Sequence, residues 1–479
     1  MKERFVSTAR PVILGWLVSA ALVQLWAPFY PLALLVGVVL ASSSRAKLAG
    51  KATCALLVCL LFTMTCWAPL SMNDIPMTDP VTTPRFEQLW QTVGLDPLLI
   101  CLAAGTGLML SFYLPRRGVV GLVLLACLST VLVLPETFAP DFRNGLLNEP
   151  GANQASDMRM YVKTFYLMQR NGGHYYEAFA EAYKIRFGRS FGHDTAGFTP
   201  PLVNVLWWLT CNSLRQVYLM FQLQLLVGLA AVYGLARQLT RDSLAATVAP
   251  ALWACYWANV LVAPWWVMAE FWALPWAAVA WLLMLNRRHL PASLLMAAAA
   301  FARAHFGLLF PAALAYCWLS GQRRACLTWV MSGSLGLLAL ALHYRHVSAV
   351  YAGASTEAVG DWRLQGGPLH LWFCCLFNWN FLPHVQWLLP FLLLLAGIGL
   401  WRLRRRRPVL LWLLLCLAPL SMLLRVGYDR QFNYGAPYFP WMVLLVAVAL
   451  SAAPGKRAVL VDGQKQLQGV DDSQIQQLP

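Results

Sequence analysis

Few side chains in this sequence can do chemistry, so each is weighed by type and spacing. Asp157 is followed two residues later by Arg159. A carboxylate beside a cation stays ionised and can accept a proton. The same aspartate also reads as the N-cap of a helix over 156–170. Asp141, in Asp141-Phe142-Arg143, is the rival proton acceptor. Glu270, in Val267-Met268-Ala269-Glu270-Phe271-Trp272, is embedded in an apolar run. A carboxylate there is costly unless it faces protein or water. It reads as the holder of a divalent cation or a basic partner, or as half of a structural salt bridge with Arg303. His305 lies two residues beyond that arginine. His174, Tyr175 and Tyr176 form an aromatic cluster that can present ring faces to a ligand or anchor at a membrane interface.

The elements that carry these residues follow from composition. Hydrophobic residues make up 59% of the 479-residue chain and charged residues 12%. An average soluble domain has about 25% charged residues. Mean hydropathy is +0.57. So few charges cannot cover a water-soluble surface, and the expectation is an all-α polytopic membrane protein. The 12 Cys sit mostly inside apolar runs without ligand spacing, which excludes a disulfide scaffold. Apolar runs of about helical span length recur at 12–26, 29–43, 52–70, 97–114, 119–137, 215–236, 243–260, 266–286, 289–303, 305–320, 325–343, 385–402, 408–424 and 437–453. That gives about fourteen helices (twelve to fourteen, since 12–43 and 289–320 could each be one kinked segment). The chain divides into a four-span module at 1–118, a core at 119–453 and a polar tail at 454–479.

Charge sets the orientation. The net charge of +16 looks at first like a nucleic-acid signal. Its placement says otherwise. Lys and Arg gather in short loops at Arg45/Lys47/Lys51, Arg116/Arg117, Arg237/Arg241, Arg287/Arg288, Arg323/Arg324, Arg402 to Arg407 and Lys456/Arg457. With fourteen spans all of these fall on one side, the cytoplasmic one, and both termini join them. No cleavable signal peptide is expected. The other face then holds loops 71–96, 138–214, 344–384 and 425–436. Arg345, Arg363, Arg425 and Arg430 lie on that face, against the general rule, and a planar guanidinium there suits phosphate. Arg430 is the preferred anion ligand, with Arg425, Arg345 and His346 behind it; solvated loop charge is the plainer reading.

The longest outer loop is the most informative. Residues 136–200 hold 7 acids and 7 bases, a quarter of the chain's charged residues in about a seventh of its length. Met160, Phe165 and Met168, then Tyr176, Phe179 and Tyr183, recur at helical spacing. They predict two amphipathic helices at about 156–170 and 174–187, lying along the membrane surface and parted by Gly172-Gly173.

Three stretches in this order, Asp157-Met158-Arg159-Met160-Tyr161, Arg170-Asn171-Gly172-Gly173-His174-Tyr175-Tyr176 and Thr199-Pro200-Pro201-Leu202, resemble the first exoplasmic loop of the GT-C superfamily. These are multi-span glycosyltransferases that use polyprenyl-phosphate sugars; they include protein O-mannosyltransferases, lipid A aminoarabinose transferases and arabinofuranosyltransferases. Glu270 sits where relatives carry a second acid, and Tyr428-Asp429-Arg430 resembles a late loop with an Arg before a final span. The resemblance covers roughly 120–450. The chain departs from the pattern in having five spans before the acidic loop, where relatives usually have one.

The resemblance implies a GT-C-like bundle and a reaction that moves a sugar, a pentose such as arabinofuranose or a hexose such as mannose, from a polyprenyl phosphate to an acceptor hydroxyl. The acceptor would be a glycan, a lipid or a protein such as a pilin, at the periplasmic face of a bacterial inner membrane. Asp157, or Asp141, would be the base. Arg430, Arg425, Arg345 and His346 would hold the donor phosphate. Glu270, Arg303 and His305 would form the second-carboxylate site, and His174, Tyr175, Tyr176 and Tyr428 would touch sugar or acceptor. No cofactor is certain; a divalent cation at Glu270 is the one candidate. GxGxxG, P-loop, CxxC and HExxH patterns are absent, which argues against a nucleotide-sugar enzyme. An O-antigen ligase or polymerase, and a lipid-linked sugar flippase or transporter, are the competing readings.

Overall fold

A computed structural model describes residues 157–187, 199–262, 264–350, 388–416 and 439–451. The first five expected spans, Asp141, Arg363, Arg425, Tyr428, Arg430 and the tail lie outside them. The described chain is helical, with no strand among the described residues. In chain order its helices are α1 Asp157–Arg170, α2 Tyr175–Phe187, α3 Leu202–Thr210, α4 Leu214–Thr240, α5 Ser243–Ala246, α6 Val248–Val262, α7 Ala269–Leu285, α8 His289–Ala302, α9 Phe310–Leu319, α10 Arg323–Val350, α11 Leu388–Leu403, α12 Arg407–Leu415 and α13 Phe439–Leu450. Short 3-10 turns, Pro264–Val267 and Ala304–Leu309, precede α7 and α9.

Two helices, Leu214–Thr240 and Arg323–Ser348, are long and apolar enough to cross a membrane. Sequence dictates where α4 begins and ends. The Ser213 hydroxyl accepts the Gln216 amide, and Arg241 closes the helix in the left-handed region at φ 56°. α4 packs against α7 at Gly228, where a Cβ would come within 2.9 Å of the Pro275 ring and 3.1 Å of Trp253. Gln224 Oε1 accepts the Trp276 indole N–H across the same seam at 2.9 Å. The expected run 305–320 is a 3-10 turn followed by α9, because Pro311 fits a first helical turn but not the middle of a helix. α8 and α9 form a hairpin, since the start of α8 meets the chain just past α9 through His289 Nε2 and Gln322 Oε1, 2.6 Å apart.

Arg-rich turns collect at one end of the bundle. Gln238 Nε2 donates to Asn286 Oδ1 at 3.0 Å, Arg406 donates to the Leu239 carbonyl at 3.1 Å, and Arg402 donates to the Ser451 carbonyl. Aromatic packing accompanies these bonds. Trp281 lies against Trp412, Trp441 and Trp329 with ring centroids 5.2 to 6.0 Å apart, and all four are fully buried. Trp266 is buried as well and accepts the Trp272 indole N–H on its carbonyl at 2.8 Å.

Candidate functional site

The opposite end of the bundle carries the polar cluster. α1 and α2 form a helical hairpin there, close to the expected 156–170 and 174–187. Their reversal needs glycine twice: Gly172 has φ +68° and Gly173 φ +92°. Gly173 has a second reason, since a Cβ would sit 2.5 Å from the Trp208 ring. The inner faces of the hairpin bury Met160, Leu167 and Met168 against Ala178, Phe179 and Ala182, with Val347 of α10 in the same cluster. α3 is tied beneath α1 by Asn204 Nδ2, which donates to the Tyr161 carbonyl at 3.1 Å, and by Trp207 against Phe165 at 6.2 Å.

Tyr175 is held by protein. It is 4% exposed, and its hydroxyl donates to the Thr199 carbonyl at 2.6 Å. The ring is held by protein because the Thr199-Pro200-Pro201 turn brings a carbonyl to it. Burial raises the phenol pKa well above its usual value near 10, while the Thr199 hydroxyl, 3.4 Å away, and the charge of Arg303 pull the other way. Tyr176 is half-buried. Its hydroxyl lies 3.0 Å from His343 Nδ1, and its ring is 4.3 Å from the His346 ring. His174 is exposed.

Below Tyr175 sits the carboxylate. Glu270 is in the first turn of α7, and Arg303 is the C-cap of α8. A helix start favours a negative charge and a helix end a positive one. α7 and α8 are antiparallel, so their complementary ends meet. Arg303 Nη2 lies 2.8 Å from Glu270 Oε1; the Glu270 side chain has no exposure and that of Arg303 has 17%. The contact is an ion pair off hydrogen-bond alignment, and Oε2 has no hydrogen-bond partner among the described residues. His305 is buried two residues beyond, stacked on Phe306 at 5.2 Å. Arg303 thus takes up Oε1, one of the two oxygens that a divalent cation at Glu270 could use. No group of three or more His, Cys, Asp or Glu able to hold a metal occurs among the described residues.

Glu270, Arg303, His305 and Tyr175 are thus gathered at the foot of the hairpin, and Arg303 is near enough to act on the Tyr175 phenol. Asp157 opens α1 four residues before buried Tyr161, a helical position on the same face about 6 Å along the axis. Tyr161 in turn acts on the Tyr175 hydroxyl. Arg345 is exposed on α10, on the side opposite buried His343 and Val347. His343 is the residue that sequence reasoning missed. Its signal was the spacing Trp329, Gly336, Leu340, His343, Val347, the buried stripe of α10, in which it is a polar residue near the outer end. No family model, curated protein or solved structure matches this chain.

Proposed function

We propose that the chain is a polyprenyl-phosphate-dependent glycosyltransferase of the GT-C type, working at the hairpin end of a bundle of about fourteen membrane helices. The observation that carries this reading is the Glu270–Arg303 pair at the foot of a hairpin that begins with Asp157. In this reading the Asp157 carboxylate takes the proton from an acceptor hydroxyl. The freed oxygen attacks the anomeric carbon of the donor, the bond from that carbon to the phosphate oxygen breaks, and the lipid phosphate leaves with the electron pair. The new glycosidic bond has inverted configuration. A base matched in this way contributes about 10²–10⁴ in rate.

Arg303, with its remaining exposure, is the described cation suited to the departing phosphate, and Arg430 and Arg425 of the late loop join it. When phosphate draws Arg303 away, Glu270 is left needing a hydrogen, and a sugar hydroxyl supplies one. The ion pair thus holds the site closed to random anions until a donor bearing both phosphate and hydroxyls arrives. In a bacterial inner membrane with both termini cytoplasmic, the hairpin faces the periplasm.

The test is purified full-length protein with a panel of synthetic polyprenyl-phosphate sugars, read as release of lipid phosphate. Asp157→Asn is expected to lower kcat by about 10²–10⁴ with little change in KM. Labelled donor that crosses vesicles with no transfer product would replace this reading with a transporter. Full activity in Asp157→Asn, with loss on substitution of Arg345 or His346, would replace it with a ligase or polymerase.

A further inference from the structure

α10 presents two unlike faces. Trp329, Leu340, His343 and Val347 are buried, while Leu335, Leu338 and Leu342 on the other side are 55–57% exposed. At 100° per residue these three leucines lie within one narrow stripe, and Arg345 continues it at the outer end. His346, also exposed, flanks Arg345 on the side towards Tyr176, its ring 4.3 Å from that tyrosine. From Leu335 to Arg345 is ten positions, a rise of about 15 Å, or half of a hydrocarbon core about 30 Å thick. The exposed Arg324 closes the other end, with twenty residues between it and Arg345, again about 30 Å. The face is one leaflet of apolar stripe with two nitrogen bases at its headgroup level.

We infer that this face binds an anionic glycerophospholipid of the surrounding leaflet, its phosphate on Arg345 and His346 and an acyl chain along Leu342, Leu338 and Leu335. The inference rests on α10 crossing the membrane and goes beyond the transferase reading. Charge complementarity selects the occupant, because a guanidinium and an imidazole side by side match a phosphodiester. Orientation selects its source. Arg345 lies on the side of α10 opposite buried His343, so a phosphate held there is on the exposed face of that helix, whereas Glu270, where a sugar donor must react, is wholly buried. α4 has a thinner version of the pattern, exposed Arg215 above Leu219 and Leu223, without a second base. The bound headgroup holds His346 against Tyr176 and thereby steadies α2, which makes the order of the hairpin depend on lipid.

The experiment uses the full chain in phosphatidylcholine nanodiscs doped with phosphatidylglycerol that carries a photoactivatable acyl chain, with crosslinked peptides identified by mass spectrometry. Label is expected on residues 335–346, falling at least fivefold in Arg345→Gln and returning in Arg345→Lys. Unlabelled phosphatidylglycerol should displace it; phosphatidylcholine and inorganic phosphate should not. Arg345 is exposed, so neither substitution threatens folding. Label insensitive to Arg345→Gln, or displaced equally by phosphatidylcholine, reduces the face to ordinary lipid contact and overturns the inference. Displacement by polyprenyl phosphate at lower concentration than phosphatidylglycerol hands the face to the donor. Complete absence of label means that protein, another segment or a second copy, covers it. Binding is read without any sugar present, so a chain that binds this lipid and transfers nothing sinks the transferase reading alone, and the converse result sinks this one alone.

Discussion

Arg303 Nη2 approaches Glu270 Oε1 to 2.8 Å across the open end of the α7–α8 hairpin, with the carboxylate wholly withdrawn from the surface. Removing one partner of a buried pair leaves an uncompensated charge, at a cost of about 3–5 kcal/mol. Arg303→Met is expected to destabilise the protein by that order. Glu270→Gln in the same background should recover most of the loss, because the stranded charge is then gone. A double-mutant cycle on thermal unfolding in detergent measures the coupling; additive effects would show that the two charges do not interact.

The two hairpin glycines separate backbone strain from crowding. Gly172 has no atom within 4 Å of where a Cβ would stand, so Gly172→Ala meets only the penalty of its φ, about 1–2 kcal/mol. Gly173 meets the same kind of penalty and also the Trp208 ring. Gly173→Ala is therefore expected to undock α1–α2 from α3, and Gly172→Ala to leave it docked. Amide hydrogen exchange across 157–187 checks this. Pairing Gly173→Ala with Trp208→Ala should restore part of the protection, which strain alone does not allow.

Much of this arrangement is legible in the sequence. α1 and α2 were legible because their apolar residues repeat at helical spacing and a Gly-Gly pair divides them. α4 and α10 were legible because long apolar runs stop at arginines. The partners of polar groups were not, because they depend on which elements meet. The sequence leaves Tyr175 as a ligand contact or an interfacial anchor and does not announce its acceptor, Thr199, 24 residues on. His343 is separated from Tyr176 by 167 residues, and no local pattern announces such a pair. Glu270 with Arg303 was one of two sequence readings; antiparallel helix ends selected it.

Tyr175 gives the hairpin a pH dependence with a definite sign. Its folded pKa is raised above the ordinary value near 10, chiefly by burial. The folded state therefore holds the phenolic proton more tightly than the unfolded chain does. Its contribution is complete below about pH 10 and is lost as pH rises from there through the folded value. Unfolding followed from pH 8 to 11 should show stability falling at the alkaline end, with a smaller fall in Tyr175→Phe. That variant has a cost of its own at neutral pH, about 1–3 kcal/mol, because the Thr199 carbonyl loses its donor.

Tyr176 and His343 test whether the hairpin and the long helix act together. The 3.0 Å contact between the Tyr176 hydroxyl and His343 Nδ1 is a direct side-chain hydrogen bond between α2 and α10, and Val347 packs into the same junction. A bond of this kind has a net worth of about 0.5–1.5 kcal/mol. Tyr176→Phe keeps the ring, and with it the packing on His346, while removing the hydroxyl. His343→Leu keeps bulk and removes the nitrogen. Each alone should loosen α2, seen as faster proteolysis near 175–187, and the two together should loosen it no more than the worse single change. If the proposed reaction is rate-limited at the Asp157 end of the hairpin, kcat should fall in both variants by a similar factor. Val347→Ala, which weakens packing without touching the hydrogen bond, should instead add to either one.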